Sequence, residues 1–152
     1  MRNNKEQPII KTYTLKEFKA GFIPYEHEEQ VAFCEYVNTA YPWLKYYAVP
    51  NGARTSISTA KKLKAEGMQS GVPDWVCPYP RGPFHGFYLE MKRTKGSETS
   101  KTQTEWIEHL RGIGYCAGVA LGADKAREYL DRYLKLGPFK QAKNLSEYAF
   151  AF

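Results

Sequence analysis

The sequence predicts an α/β fold, a small mixed β-sheet flanked by helices, and three observations carry that expectation. The stretch from Gly71 to Lys92, GVPDWVCPYPRGPFHGFYLEMK, reads as two short apolar strands, Trp75–Cys77 and Phe87–Lys92, joined by a loop rich in proline and glycine. The run Tyr115–Leu121, YCAGVAL, is apolar almost throughout and reads as a strand buried on both faces. Amphipathic stretches with helical spacing lie on either side of that run. In chain order the segments run helix, strand, helix, strand, strand, helix, strand, helix.

Residues 1–24 mix polar, basic and aromatic side chains without a period and read as an arm closed off by Pro24. From Tyr25 the spacing turns helical, with Phe33, Val37 and Ala40 on one line and Tyr41-Pro42 as the stop. Traced backwards, that line passes through Gln30 and Glu26, but Glu29 also lies one turn before Phe33. Periodicity does not choose between the two glutamates, and both also suit an acidic first turn that complements the helix dipole. Lys45–Val49 is a short β-prone run stopped by Pro50-Asn51-Gly52. Ser56 to Gly67 reads as a helix with a serine start and a glycine stop. Lys61, Lys62 and Lys64 on this helix, with Arg54 just before it, make a basic cluster.

After the central unit, the loop from Lys92 to Ser97 carries Arg93 and Lys95. The next helix sets Trp106, Ile107, Leu110 and Ile113 on one side and Glu105, Glu108 and Arg111 away from it. Gln103 heads the apolar side, where a polar residue either caps something or serves a site. The last helix follows Gly122 with the stripe Ala126, Tyr129, Leu130, Tyr133 and Leu134, and Gly137-Pro138 ends it. The tail to Phe152 is basic, then aromatic, and is expected to pack on the body or on a second subunit.

A length of 152 residues suits one domain. The net charge of +6 favours a polyanionic partner such as nucleic acid. Cys34, Cys77 and Cys116 form no CxxC pair and read as free thiols in a reducing compartment. His27, His85 and His109 lack zinc-ligand spacing. With no signal-peptide core and no apolar run of membrane-spanning length, the expected location is intracellular, in a bacterial or phage-infected cell.

The chemistry concentrates in the central unit. Asp74 begins one strand, and Glu90 and Lys92 share a face of the other, with Leu89 and Met91 facing away. Two carboxylates, with the backbone carbonyl of Met91 beside Glu90, make a hard-oxygen donor set suited to magnesium and its retained waters. Lys92 on the Glu90 face can orient such a water and offset charge developing on a phosphate.

Several passages set these residues in a wider pattern: Pro50-Asn51-Gly52, Ala65 to Trp75 (AEG through GVPDW), Tyr79 to Arg93 (YPRGPFHGFYLEMKR) and Ser100 to Tyr115 (SKTQTEWIEHLRGIGY). Together they resemble the VRR-NUC family, the virus-type replication-repair nucleases of the PD-(D/E)xK superfamily, over roughly Glu26 to Leu134. The resemblance implies a restriction-endonuclease-like core spanning 25–136, between an arm at 1–24 and a tail at 137–152. It implies Asp74 and Glu90 as acids binding Mg2+ or Mn2+, Lys92 as the catalytic lysine and Gln103 as a further catalytic residue. A metal-site glutamate from the first helix falls on Glu26, with Glu29 as the alternative. The implied activity is endonucleolytic cleavage of branched DNA such as Holliday junctions by a homodimer. A less selective flap or single-strand nuclease and a silent DNA-binding module are the rival expectations. Arg54, Lys61, Lys62, Lys64, Arg81, His85, Arg93 and Lys95 are the expected DNA contacts.

Overall fold

The computed structural model describes residues 24–50 and 56–141; the arm, Arg54 and the tail beyond residue 141 lie outside them. The described elements follow the expected order: α1 (Glu26–Ala40), β1 (Tyr47–Ala48), α2 (Ile57–Ala65), β2 (Trp75–Cys77), β3 (Phe87–Lys92), α3 (Lys101–Gly112), β4 (Cys116–Leu121) and α4 (Ala123–Leu134). They build one mixed sheet in the order β1-β2-β3-β4. β2 is antiparallel to β1 and β3, and β3 runs parallel to β4.

The period-two alternation of β3 organises both layers. Phe87, Leu89 and Met91 join Phe33 and Val37 of α1 and Ala126, Leu130 and Tyr133 of α4 in the main core. Tyr88, from the opposite face, packs against the smaller cluster of Ile107, Leu110 and Ala117 under α3. Trp75 is fully buried between layers, edge-on to Phe33 and stacked on Tyr46, each ring 5.0 Å away. Burying an aromatic of this size contributes about 2–3 kcal/mol through area alone, which pins the strand that begins after Asp74.

Gly71 positions the same strand from the other side. It adopts φ +88°, and a Cβ there would lie 2.7 Å from the carbonyl carbon of Thr102. The chain entering β2 therefore rests directly on the first turn of α3, where only glycine fits.

Local departures from the sequence expectation have packing causes. The run Lys45–Val49 yields only Tyr47–Ala48 as strand, both exposed on the sheet edge. Ala40 is exposed because the buried stripe of α1 is Glu29, Phe33 and Val37, which ends one turn earlier. Ile113 is 51% exposed because α3 stops at Gly112 and Ile113 is its C-cap. Leu121 is 53% exposed at the end of β4, so the strand is not covered on both faces throughout. α2 begins at Ser56, whose hydroxyl accepts the Thr59 N–H at 3.2 Å, and buries no residue. Cys34, Cys77 and Cys116 are free thiols. Among the described residues no helix is long and apolar enough to cross a membrane.

Candidate active site

The open ends of β2 and β3, with the first turns of α1 and α3, bring Asp74, Glu90, Lys92, Gln103 and Glu26 together. Glu90 is buried on the α3 side of β3 at 1% exposure. Its Oε1 lies 3.0 Å from the Lys92 ammonium, two residues along the same face. The Gln103 Nε2 also donates to Oε1, whereas the buried Oε2 has no hydrogen-bond partner. Asp74 is held against the next strand, its Oδ2 accepting the Met91 N–H at 3.0 Å. Extending the β2–β3 register puts Pro73, which has no N–H, opposite Met91, so that residue cannot cap the Met91 carbonyl.

Gln103 resolves the two sequence readings by doing both jobs. Ser100 caps α3, its hydroxyl accepting the Gln103 N–H at 3.3 Å, while Gln103 Oε1 accepts the Ser100 N–H at 2.8 Å. This is a capping box. The remaining end of the amide, Nε2, is thereby directed at Glu90.

The two first-helix glutamates separate. Glu26, half-buried at the start of α1, lies 3.9 Å from the Lys92 ammonium. Glu29 is buried and turned away from Lys92. Its Oε1 accepts the Thr94 hydroxyl at 3.0 Å and its Oε2 accepts the Ala123 N–H at 2.7 Å, at the N-terminus of α4. Gly122, at φ +87°, is the N-cap of α4 and has no side chain to cap it, so a remote carboxylate supplies the acceptor. That missing local cap after a buried strand is the sequence signal that could have assigned Glu29.

The two roles predict opposite mutational signatures. Glu29→Ala leaves two donors without their charged acceptor and should lower stability by about 2–3 kcal/mol. Glu26→Ala, at a 42%-exposed side chain, should change it by no more than about 0.5 kcal/mol. Urea unfolding monitored by tryptophan fluorescence measures both, and equal losses would contradict the division.

Burial, reinforced by the charges of Asp74 and Glu26, pushes the Glu90 carboxyl up to about 7 against the opposing pull of Lys92. Burial also raises Glu26, with Asp74 adding to it and Lys92 and Arg93 opposing. These carboxylates crowd negative charge into a site that a cation would relieve. Among the described residues no group of three or more His, Cys, Asp or Glu side chains is gathered so as to hold a metal by itself. The fitting donor set is therefore small: Asp74, the unpartnered Glu90 Oε2 and the Met91 carbonyl, with water completing the shell. That composition suits magnesium, which binds through one or two carboxylates and keeps several waters.

The expected DNA contacts divide by position. Arg93 is half-buried beside Glu26, its guanidinium 5.4 Å from the Tyr25 ring centroid, and Lys95 is exposed just beyond it. Lys61, Lys62 and Lys64 are exposed on α2, Lys62 lying 3.8 Å from Glu66. Arg54 lies outside the described residues. Arg81 and His85 are not brought to the site. The loop holding them joins the far ends of β2 and β3, about 10 Å of strand from Glu90 and about 17 Å from Lys92. There the His85 ring packs on Tyr115 and Phe139, and Gly82 exchanges backbone bonds of 2.8 Å with Gly137 and Lys140. The extended strand carries this loop, with its two expected DNA contacts, away from Glu90.

No family profile and no curated protein matches the sequence. A solved structure described as a "VRR_NUC domain protein" does match, with a TM-score of 0.67 and 28% sequence identity. The match covers 80% of this chain and 97% of that one.

Proposed function

The protein has the VRR-NUC fold, a restriction-endonuclease-like α/β fold, and from it we propose a metal-dependent endonuclease that hydrolyses phosphodiester bonds in branched DNA of the four-way-junction type. The observation that carries this reading is Glu90: a fully buried carboxylate with one oxygen unpartnered, next to Asp74 and 3.0 Å from a lysine. A folded core has no use for such an oxygen, whereas a divalent cation does.

Asp74, Glu90 and the Met91 carbonyl would hold Mg2+ or Mn2+, with Glu26 at the rim. When bound, the cation supplies a Lewis acid for the phosphate and lowers the pKa of its water. Lys92 is held by Glu90 and Glu26, which fixes its ammonium to orient a water and offset charge on the phosphate oxygens. Gln103 fixes Oε1 of Glu90 and so leaves Oε2 for the cation. Arg93, Lys95 and the lysines of α2 supply charge for flanking phosphates, with affinity falling as salt rises. Two copies about a twofold axis would present two sites to the two strands of a symmetric junction.

Cleavage of end-labelled junction, flap, nicked and linear substrates with Mg2+ or Mn2+ tests the reading. The expected result is junction cleavage at least about tenfold faster than cleavage of linear duplex. Equal rates on all substrates would remove the branched selectivity, and DNA binding without cleavage under either metal would remove the enzyme.

A further inference from the structure

A groove of about 450 Å³ runs between α1 and β1 and opens beside Asp74 and Glu26. Its floor is tied to the active site, because the Val49 N–H donates to the Asp74 carbonyl oxygen at 2.8 Å. The volume lies in the range of small-molecule pockets, about 300–1,000 Å³. We infer that this groove receives an unpaired nucleobase of the strand being cut, adjacent to the scissile phosphate; the inference rests on the nuclease reading above.

The charge of the walls selects the part of a nucleotide that can enter. Among the described residues lining the groove there is no lysine or arginine, while Glu26, Glu35 and Asp74 carry carboxylates. The described walls are thus acidic in a chain of net charge +6, and they disfavour the phosphate backbone. A neutral base meets no such barrier. Val31, Ala48, Val49 and Pro50 offer apolar walls to its faces, and Asn38 offers an amide to its edge. The Tyr46 hydroxyl donates to Asn38 Oδ1 at 2.9 Å, which leaves the amide NH2 as the donor Asn38 can offer a ligand.

A base in a duplex is stacked and has its pairing edge occupied, so only an unpaired or extruded base can use the groove. Selectivity for branched DNA then has a local origin: stacking is interrupted at the branch point, and a base extruded there draws the adjacent phosphate to Asp74. Continuous duplex lacks this contact.

Scanning a single abasic nucleotide along the cut strand tests the inference with the wild type and with Val31→Trp. Val31 is 42% exposed, so the indole fills the groove without entering the core. At one position the abasic substrate should be cut about tenfold more slowly by the wild type. Val31→Trp should cut intact and abasic substrates at that same reduced rate. A wild type indifferent to the abasic residue at every position, or a variant that slows both substrates by the same factor and so keeps the tenfold gap between them, overturns the inference. Fluorescence of 2-aminopurine at the unpaired position gives a readout independent of cleavage. A change on binding wild type that is absent with Val31→Trp supports the groove even if no substrate is cut, in which case only the nuclease reading falls; no change with wild type overturns the groove.

Discussion

Asp74→Asn should reduce DNA cleavage about a thousandfold or more while leaving junction binding within about threefold. The substitution is chosen for its geometry: an asparagine oxygen can still accept the Met91 N–H that holds this position against β3. What disappears is one of the two negative charges in the proposed donor set, and Glu26 stands only at its rim. A thousandfold corresponds to about 4 kcal/mol of barrier, the scale expected when charge stabilisation at a transferring phosphoryl group is lost. Lys92→Gln should fall in the same range, because it keeps a donor to Glu90 but removes the ammonium. Rates on labelled junction, with affinities from parallel gel shifts, measure both variants. Cleavage by Asp74→Asn within tenfold of wild type would remove this aspartate from the chemistry.

The metal-free protein should lose up to about 3 kcal/mol of stability between pH 4.5 and pH 7, and magnesium should restore it. The sign follows from Glu90, raised from 4.5 to about 7 in the fold. In that window the folded chain keeps a proton that the unfolded chain has released, so stability falls as pH rises and levels off above 7. A cation binds the ionised form and acts in the opposite direction. Below pH 7 its apparent affinity should rise by up to about tenfold per pH unit, because each ion displaces one proton. Urea unfolding from pH 5 to 8 with chelator, then with Mg2+, measures both effects. Glu90→Gln serves as the reference whose pH slope lacks this contribution. Identical slopes for Glu90→Gln and wild type in chelator would show that Glu90 does not titrate in this window.

The parts of this protein that were legible in its sequence are those fixed by local periodicity. Period two put Glu90 and Lys92 on one face, and the structure keeps them 3.0 Å apart. Helical spacing put Ile107 and Leu110 on the apolar side of α3, and both are buried there. The choice between Glu26 and Glu29 was not legible, because three residues on a helix turn a side chain by less than a full circle and both positions border one face. What separates them is the N-terminus of α4, 94 residues beyond Glu29. The distance of Arg81 and His85 from Glu90 has the opposite cause: few residues of extended chain cover a long distance. The groove beside Asp74 had no sequence signature, since its walls come from a helix and an edge strand of only two residues.

The amide of Gln103 joins two neighbours with opposite demands: it accepts from the Ser100 N–H and donates to Glu90. Rotated by half a turn, it would set oxygen against carboxylate and NH2 against N–H. Glutamate would repel Glu90, asparagine is one methylene shorter, and lysine or arginine cannot accept the backbone donor. None of these four can replace it, and the start of α3 cannot drift toward them without disturbing Glu90. The tolerance of the first turn of this helix to substitution is set by the site it borders, whereas its exposed later positions would accept any good helix former.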